Sequence, residues 1–234
     1  MKLSIVVPAF NEEKNIPSLI EAFAKVFKLH NDIQIIFVEN GSDDNSKQVF
    51  IEELEKYKEY NFKIVFLGKN KGYGHGIKSG LKASEADYVG WTHADMQTNP
   101  KDILKSLRYL ENGKKVFIKG YRRGRSLSEN FFSFFMGVFE TILFQKLIYE
   151  INAQPTIFHR SLIDDFEEMP DDFSIDLFSY ITAKKKNFIF KRIRVNFPKR
   201  IHGESSWNRG LEDVLKFSIR TIRYSIKLRF NDNN

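Results

Sequence analysis

The sequence predicts an α/β fold: a mostly parallel central sheet flanked by helices, with an amphipathic helix at the C-terminus. Three observations lead there. Continuous apolar runs of strand length, the pattern of strands buried on both faces, recur through the first half of the chain. Segments with helical apolar stripes separate them. Polar residues able to carry chemistry follow the ends of those runs, where open α/β sheets bind their ligands.

The elements follow in order. Leu3–Pro8 is the first strand, and Pro8, which has no N–H to give to a ladder, is expected to end it. Glu12–Leu29 carries Ile16, Leu19, Ile20, Phe23 and Phe27 as a helical stripe, with Asn11 and Glu12 as candidate caps. Ile33–Glu39 is the second strand. Ser42 to Ser46 supplies cap chemistry for a helix reaching about Tyr57. A strand at Lys63–Leu67, the glycine-rich run Gly72–Gly80 leading into a helix, a strand at Tyr88–Thr92, a helix at Pro100–Leu110 and a strand at Val116–Lys119 complete the first half. Four successive strand–helix units closing on a fifth strand imply right-handed crossovers and a parallel sheet. Beyond Gly120 the rhythm breaks into an apolar helix over 127–148, a mixed region, a strand at Phe188–Phe197 and a helix at Leu211–Phe230. With no internal repeat and no linker-like stretch, one domain is expected over 1–210, divided near residue 120, followed by the helix and tail of 211–234.

Composition narrows the classes. The 234 residues suffice for one large domain. Phe131–Ile148 is strongly apolar, but it carries Glu140, Gln145 and Lys146 and falls short of the ~20 residues a membrane span needs. Met1–Pro8 reads as a buried strand rather than a signal peptide. The absence of cysteine excludes disulfides and thiolate metal sites and fits a cytoplasmic location. A net charge of +7 favours acidic partners: nucleotides, phospholipid surfaces or nucleic acid. Nucleic acid is disfavoured, because the basic residues at Arg122–Arg125 and the C-terminus lack the aromatic interleaving of a single-strand binder.

Four motifs then stand in one order: Val6-Val7-Pro8-Ala9-Phe10-Asn11-Glu12, Val38-Glu39-Asn40-Gly41-Ser42, Asn70-Lys71-Gly72-Tyr73-Gly74 and His93-Ala94-Asp95-Met96-Gln97. Over nearly all of the first 120 residues they resemble, in order and spacing, the family 2 glycosyltransferases with the GT-A fold, and within them the dolichol-phosphate mannosyltransferase-like branch. Arg200-Ile201-His202-Gly203-Glu204-Ser205-Ser206 is similar to that branch's Arg-x-x-Gly-x-Ser-Lys loop. The resemblance implies a metal-dependent, inverting transferase with a nucleotide-diphospho-sugar donor and a polyprenyl-phosphate acceptor. On that reading 1–120 is the nucleotide-sugar half and 121–210 the acceptor half.

The resemblance also suggests roles. Pro8, Ala9 and Phe10 would wall a nucleobase and Glu12 would bind the ribose. Glu39 and Asn40, where the family usually carries two aspartates, would read the base edge; otherwise Gly41 makes a plain strand-to-helix turn. Gly72 and Gly74 would let the backbone approach a phosphate or sugar. A divalent cation bridging two phosphates neutralises a leaving diphosphate. Asp95 would be its principal ligand, with Gln97 and His93 assisting and Ala94 lining the donor site. His93 stands where the family has its first aspartate, and imidazole suits Mn²⁺ better than Mg²⁺. Arg122, Arg123 and Arg125 have the planar forks that match phosphate oxygens, for a lipid-phosphate acceptor. Asp176 falls near the family's catalytic base, which a hydroxyl acceptor needs and an already anionic phosphate does not. Arg200 and Ser205 would close over the diphosphate; Ser206 replaces the family's lysine, with His202 or Arg209 as substitutes.

Three readings compete at this stage: transfer to a lipid phosphate, transfer to a hydroxyl of a cell-surface glycan, and a catalytically silent nucleotide-binding subunit. The basic amphipathic helix 211–230 is expected to give peripheral contact with the cytoplasmic face of a membrane, whereas the phenylalanines of helix 127–148 are expected by default in the core, with a groove for a polyprenyl chain or a membrane surface as alternatives.

Overall fold

The computed structural model describes residues 2–111, 113–123, 127–164, 166–198 and 211–230; for 127–133, 211, 213–215 and 217 only the backbone is described. Among these residues, seven strands form one sheet: β1 (Leu3–Ala9), β2 (Ile33–Glu39), β3 (Phe62–Phe66), β4 (Tyr88–Trp91), β5 (Val116–Arg123), β6 (Thr156–His159) and β7 (Ile189–Asn196). Their spatial order is β3-β2-β1-β4-β6-β5-β7. Pairs β1–β2, β1–β4, β2–β3 and β5–β7 are parallel, and β6 runs antiparallel between β4 and β5. Strands β1 to β5 thus all run the same way, as expected, and the addition to that expectation is β6, inserted antiparallel between β4 and β5. Thr156–His159 puts only two side chains on each face, too few to show a period within the mixed region.

The helices are α1 (Ile16–Phe27), α2 (Ser46–Glu55), α3 (Tyr73–Lys82), α4 (Lys101–Leu104), α5 (Leu127–Phe144), α6 (Ile175–Lys185) and α7 (Leu211–Phe230). The expected stripe on α1 is buried as Ile16, Leu19, Ile20, Phe23 and Phe27, each such side chain contributing roughly 1.5–3 kcal/mol. That helix begins four residues later than expected, because Asn11 takes φ +56° and a turn over Glu12–Asn15 precedes it. The expected helix 100–110 resolves into α4 and a separate 3₁₀ turn at Leu107–Tyr109. The expected helix to 148 stops at Phe144, where Gln145 takes φ +53°.

Two apolar layers cover the sheet. On one face β1, β2 and β5 bury Leu3, Ile5, Phe37 and Ile118 with residues of α1, α2 and α4. On the other, Val6, Val89, Phe117 and Phe158 pack with Ile77 and Leu81 of α3, Phe144 of α5 and Tyr180 of α6. Tyr224 and Leu228 of α7 lie against this second layer, Ser225 Oγ bonds Glu140 Oε1 of α5, and Arg229 Nε bonds the Leu143 carbonyl. Among the described residues no helix is long and apolar enough to cross a membrane.

Candidate active site

The first motif leaves the sheet at the end of β1. Pro8 sits inside the strand, opposite Val38, so the expectation that it ends the strand is corrected by one residue. Its missing N–H is tolerated because the β1–β4 ladder stops at Val6 and Trp91, leaving Pro8 nothing to donate to on that side. Ala9 is buried, Phe10 is partly exposed and Asn11 is in the left-handed region. The next residues latch onto the loop after β2: the N–H groups of Asn11, Glu12 and Glu13 bond Ser42 Oγ, Ser46 Oγ and Asp44 Oδ2 at 3.0, 3.0 and 3.2 Å. Asp43 and Asn45 return N–H bonds to Asn11 Oδ1 and Glu13 Oε2. Glu12 accepts from Asn15 Nδ2, which ties its carboxylate to the start of α1.

At the end of β2, Glu39 Oε1 accepts the Ser42 N–H at 2.6 Å, and Asn40 Nδ2 donates to the Gly72 carbonyl at 3.1 Å. Asn40 is buried, and its Oδ1 has no hydrogen-bond partner. Gly41 is at φ +71° with the backbone of Lys69 and Asn70 where a Cβ would stand, so the turn itself requires glycine.

Gly72 and Gly74 lie at the start of α3. A Cβ on Gly72 would meet the Asp171 carbonyl at 2.4 Å, and one on Gly74 the Pro170 carbonyl at 2.2 Å. His75 N–H also bonds the Asp171 carbonyl at 2.9 Å. The close backbone approach expected of this loop is thus made to the 170–172 segment. Lys78, nearly buried, holds Asp171 at 2.7 Å and keeps that carboxyl below its ordinary pKa.

The third motif follows β4. Asp95 is buried, and its Oδ1 accepts the Gln97 N–H at 3.0 Å across Met96, which is at φ +60°. Gln97 spends its Nε2 on the Pro198 carbonyl at 3.1 Å. His93 stacks on the Tyr73 ring, centroids 6.3 Å apart, and Ala94 is buried. Tyr73 also stacks on Phe173 at 4.7 Å. Its hydroxyl is buried without a partner, and burial, with the charges of Asp176 and Asp95, raises its pKa well above the ordinary value. Among the described residues no three His, Cys, Asp or Glu side chains gather as a metal cage. A single carboxylate with an adjacent amide still fits a hard cation that arrives with a diphosphate, since Mg²⁺-type sites commonly use one or two carboxylates plus substrate phosphates and water.

Asp176, in the first turn of α6, is 2 % exposed. Its Oδ1 accepts from Lys119 Nζ at 2.8 Å and Gln154 Nε2 at 2.8 Å. Lys119 Nζ also donates to Thr156 Oγ1 at 2.6 Å, and Thr156 Oγ1 to Gln154 Oε1 at 2.8 Å. Burial pulls the Lys119 pKa down to about 8 against the opposing pull of Asp176. Arg122 is likewise paired, Nε to Glu150 Oε2 at 2.7 Å, and Arg123 is exposed. Arg125, Arg200 and Ser205, with His202, Ser206 and Arg209, lie outside the described residues.

The structure therefore brings the ends of β1, β2 and β4 and the start of α3 to one edge of the sheet, with Asp176 close by. The sequence reading missed Lys119, Gln154, Thr156 and Tyr73. A lysine closing the run Val116-Phe117-Ile118 was the available signal for the first.

Residues 4–166 match the model of glycosyl transferase family 2. The chain belongs to that family. Among family 2 relatives, an undecaprenyl-phosphate 4-deoxy-4-formamido-L-arabinose transferase of Proteus mirabilis is 32% identical over 116 residues, 49% of this chain and 35% of that protein. The Pseudomonas fluorescens protein of the same name is 32% identical over 128 residues, 53% of this chain and 37% of its own. The chain thus spans about a third of the length of these transferases. An uncharacterised protein of Methanocaldococcus jannaschii is 25% identical over 193 residues, covering 77% of this chain and 81% of that one. Glucosyl-3-phosphoglycerate synthase of Mycobacterium tuberculosis, in complex with Mn²⁺, UDP and glucosyl-3-phosphoglycerate, superposes with a TM-score of 0.73 at 15% identity, over 97% of this chain and 79% of that one. The fold is GT-A, as the motifs led one to expect.

Proposed function

We propose that this chain is a metal-dependent, inverting glycosyltransferase that moves a sugar from a nucleotide-diphospho-sugar to a polyprenyl-phosphate-type lipid. The observation that carries the donor half is the gathering of the unpartnered Asn40 amide oxygen and the buried Asp95 at one sheet edge. On this reading the base and ribose lie along Pro8–Glu12 and Glu39–Asn40, the sugar near Ala94, and Gly72 and Gly74 contribute backbone only. Asp95, with Gln97 and His93 beside it, would hold a divalent cation, Mn²⁺ or Mg²⁺. When bound, that cation neutralises the departing diphosphate. Arg200 and Ser205 would cover the same group. The mycobacterial GT-A neighbour, crystallised with Mn²⁺ and UDP, supports this assignment.

The acceptor half rests on Asp176 and on the undecaprenyl-phosphate transferases among the relatives. A carboxylate whose oxygen is shared by Lys119 and Gln154 is poorly disposed to take a proton, and a phosphate acceptor has none to give up. Arg123 and Arg125 would meet that phosphate, and Arg122 would hold Glu150 beside it. Residues 1–210 would form the transferase domain, 1–120 for the donor and 121–210 for the acceptor, with 211–234 as an appended helix and tail. The exposed apolar residues of α5 and the basic α7 favour contact with a cytoplasmic membrane face.

The test is a thermal-shift panel of UDP, GDP and CDP, each with and without Mn²⁺. A ligand at a hundred times its Kd adds about 2.7 kcal/mol to stability. The expected result is a metal-dependent rise with one nucleotide that Asp95→Asn reduces to the metal-free level. A rise indifferent to metal would point instead to a silent nucleotide-binding subunit, and no rise with any nucleotide would refute the donor assignment.

A further inference from the structure

In strand β5 the side chains alternate between the two faces of the sheet, and Lys119 falls on the same face as Phe117. The register extends this row across the sheet: Phe117 stands opposite Phe158 and Phe158 opposite Val89, then one step on Lys119 stands opposite Thr156 and Thr156 opposite Trp91. The first row is wholly apolar. The second, nearer the candidate site, puts an ammonium with no exposed surface among Thr156, Gln154 and Asp176.

Packing alone does not call for a charge there. Buried ion pairs can often be replaced by apolar residues of similar volume without loss of stability, because desolvation offsets their attraction. The pair is also well placed to matter electrostatically. Burial first, and then the charges of Asp176 and Asp95, raise the pKa of the Tyr73 hydroxyl. A second acid at this end of β5, Glu150, is matched by Arg122, three residues after Lys119 on the same strand.

We propose that Lys119 is a positioning residue for acceptor recognition: its pairing with Asp176 cancels a carboxylate charge in the floor of the site, so that an anionic acceptor can approach the donor. This rests on the phosphate-acceptor reading above. With Lys119 neutral, a bare carboxylate would confront an acceptor that already has to near the donor diphosphate. One unit charge at ~10 Å and an effective dielectric of ~20 changes an anion's affinity roughly tenfold.

The test measures equilibrium binding of farnesyl phosphate and of its neutral counterpart farnesol to the full chain and to Lys119→Met, Asp176→Asn and the double variant. The two single changes break the same contact but leave opposite charges. Farnesyl phosphate is expected to bind about tenfold more weakly to Lys119→Met, and no more weakly to Asp176→Asn, than to the wild type. The double variant should return toward wild type, and farnesol should be unaffected throughout. A merely structural pair would move both ligands, and both single variants, in the same direction, and that outcome overturns the proposal. If Lys119→Met does not fold, Asp176→Asn decides alone, since weaker farnesyl phosphate binding there refutes it. Wild-type protein that fails to prefer farnesyl phosphate over farnesol refutes the acceptor reading itself, and this proposal with it.

Discussion

Glu140 of α5 and Ser225 of α7 meet in a buried hydrogen bond of 2.5 Å, Ser225 Oγ to Glu140 Oε1, that ties the C-terminal helix to the body of the fold. The second carboxyl oxygen of Glu140 is buried without a partner. Burial raises the Glu140 pKa from 4.5 to about 7, with the Ser225 bond opposing the shift.

Stability against pH follows from that shift. Between pH 4.5 and 7 the unfolded chain loses this proton while the folded chain keeps it, so stability falls across the window and levels off above it. At 1.36 kcal/mol per pKa unit the fall attributable to Glu140 is about 3 kcal/mol. Glu140→Gln keeps an acceptor for Ser225 and cannot ionise. Denaturant unfolding at pH 5, 6, 7 and 8 should show this component of the slope vanish in the variant, with Glu140→Gln the more stable protein at pH 8. An unchanged slope would mean that Glu140 is ionised in the folded chain at pH 5.

Gly74 gives the second prediction. The Pro170 carbonyl stands 2.2 Å, and the Asp172 carbonyl 2.7 Å, from where its Cβ would be, and both obstacles are backbone. Gly74→Ala must separate the start of α3 from the 170–172 segment, at a stability loss of about 1–3 kcal/mol typical of overpacking. Gly68 is the control, since nothing lies within 4 Å of its Cβ position. Equal melting temperatures for Gly74→Ala and Gly68→Ala would show that the glycine is not kept for this packing.

How far the sequence could be read depends on whether an interaction is local. Runs such as Ile33–Glu39 are buried on both faces and declare themselves by composition alone. Asp95 was legible because a carboxylate just past an apolar strand has few ordinary reasons to be there, although its turn with Gln97 is one of them. β6 was not legible, being short and paired only with strands remote in the chain. Nothing in the sequence announces that residues 170–172 press against the glycines at 72 and 74. Lys119 read as the edge of a strand, and its burial follows only once Asp176, Gln154 and Thr156 converge on it. Arg122 looked free to bind phosphate, and only the fold brings Glu150 to its Nε.

The exposed face of α5 gives the third prediction. Phe134, Val138 and Ile142 recur at helical spacing, and Phe134 and Ile142 are 65% and 72% exposed. Leu147 beyond the helix is exposed as well, and α7, joined to α5 through Ser225, exposes Ile226 and Phe230 with Arg223 and Lys227. Apolar side chains beside basic ones suit the interface of an anionic bilayer. Because these side chains already face solvent, Phe134→Ser with Ile142→Ser should leave the melting temperature nearly unchanged. Moving a large apolar side chain out of water contributes roughly 1.5–3 kcal/mol, so the double change should weaken binding to phosphatidylglycerol vesicles at least tenfold in a co-sedimentation assay. Neutral phosphatidylcholine vesicles should bind the unaltered chain less well, since the basic residues then have no counter-charge. Undiminished binding by the double variant would refute a role for this face of α5 in vesicle binding.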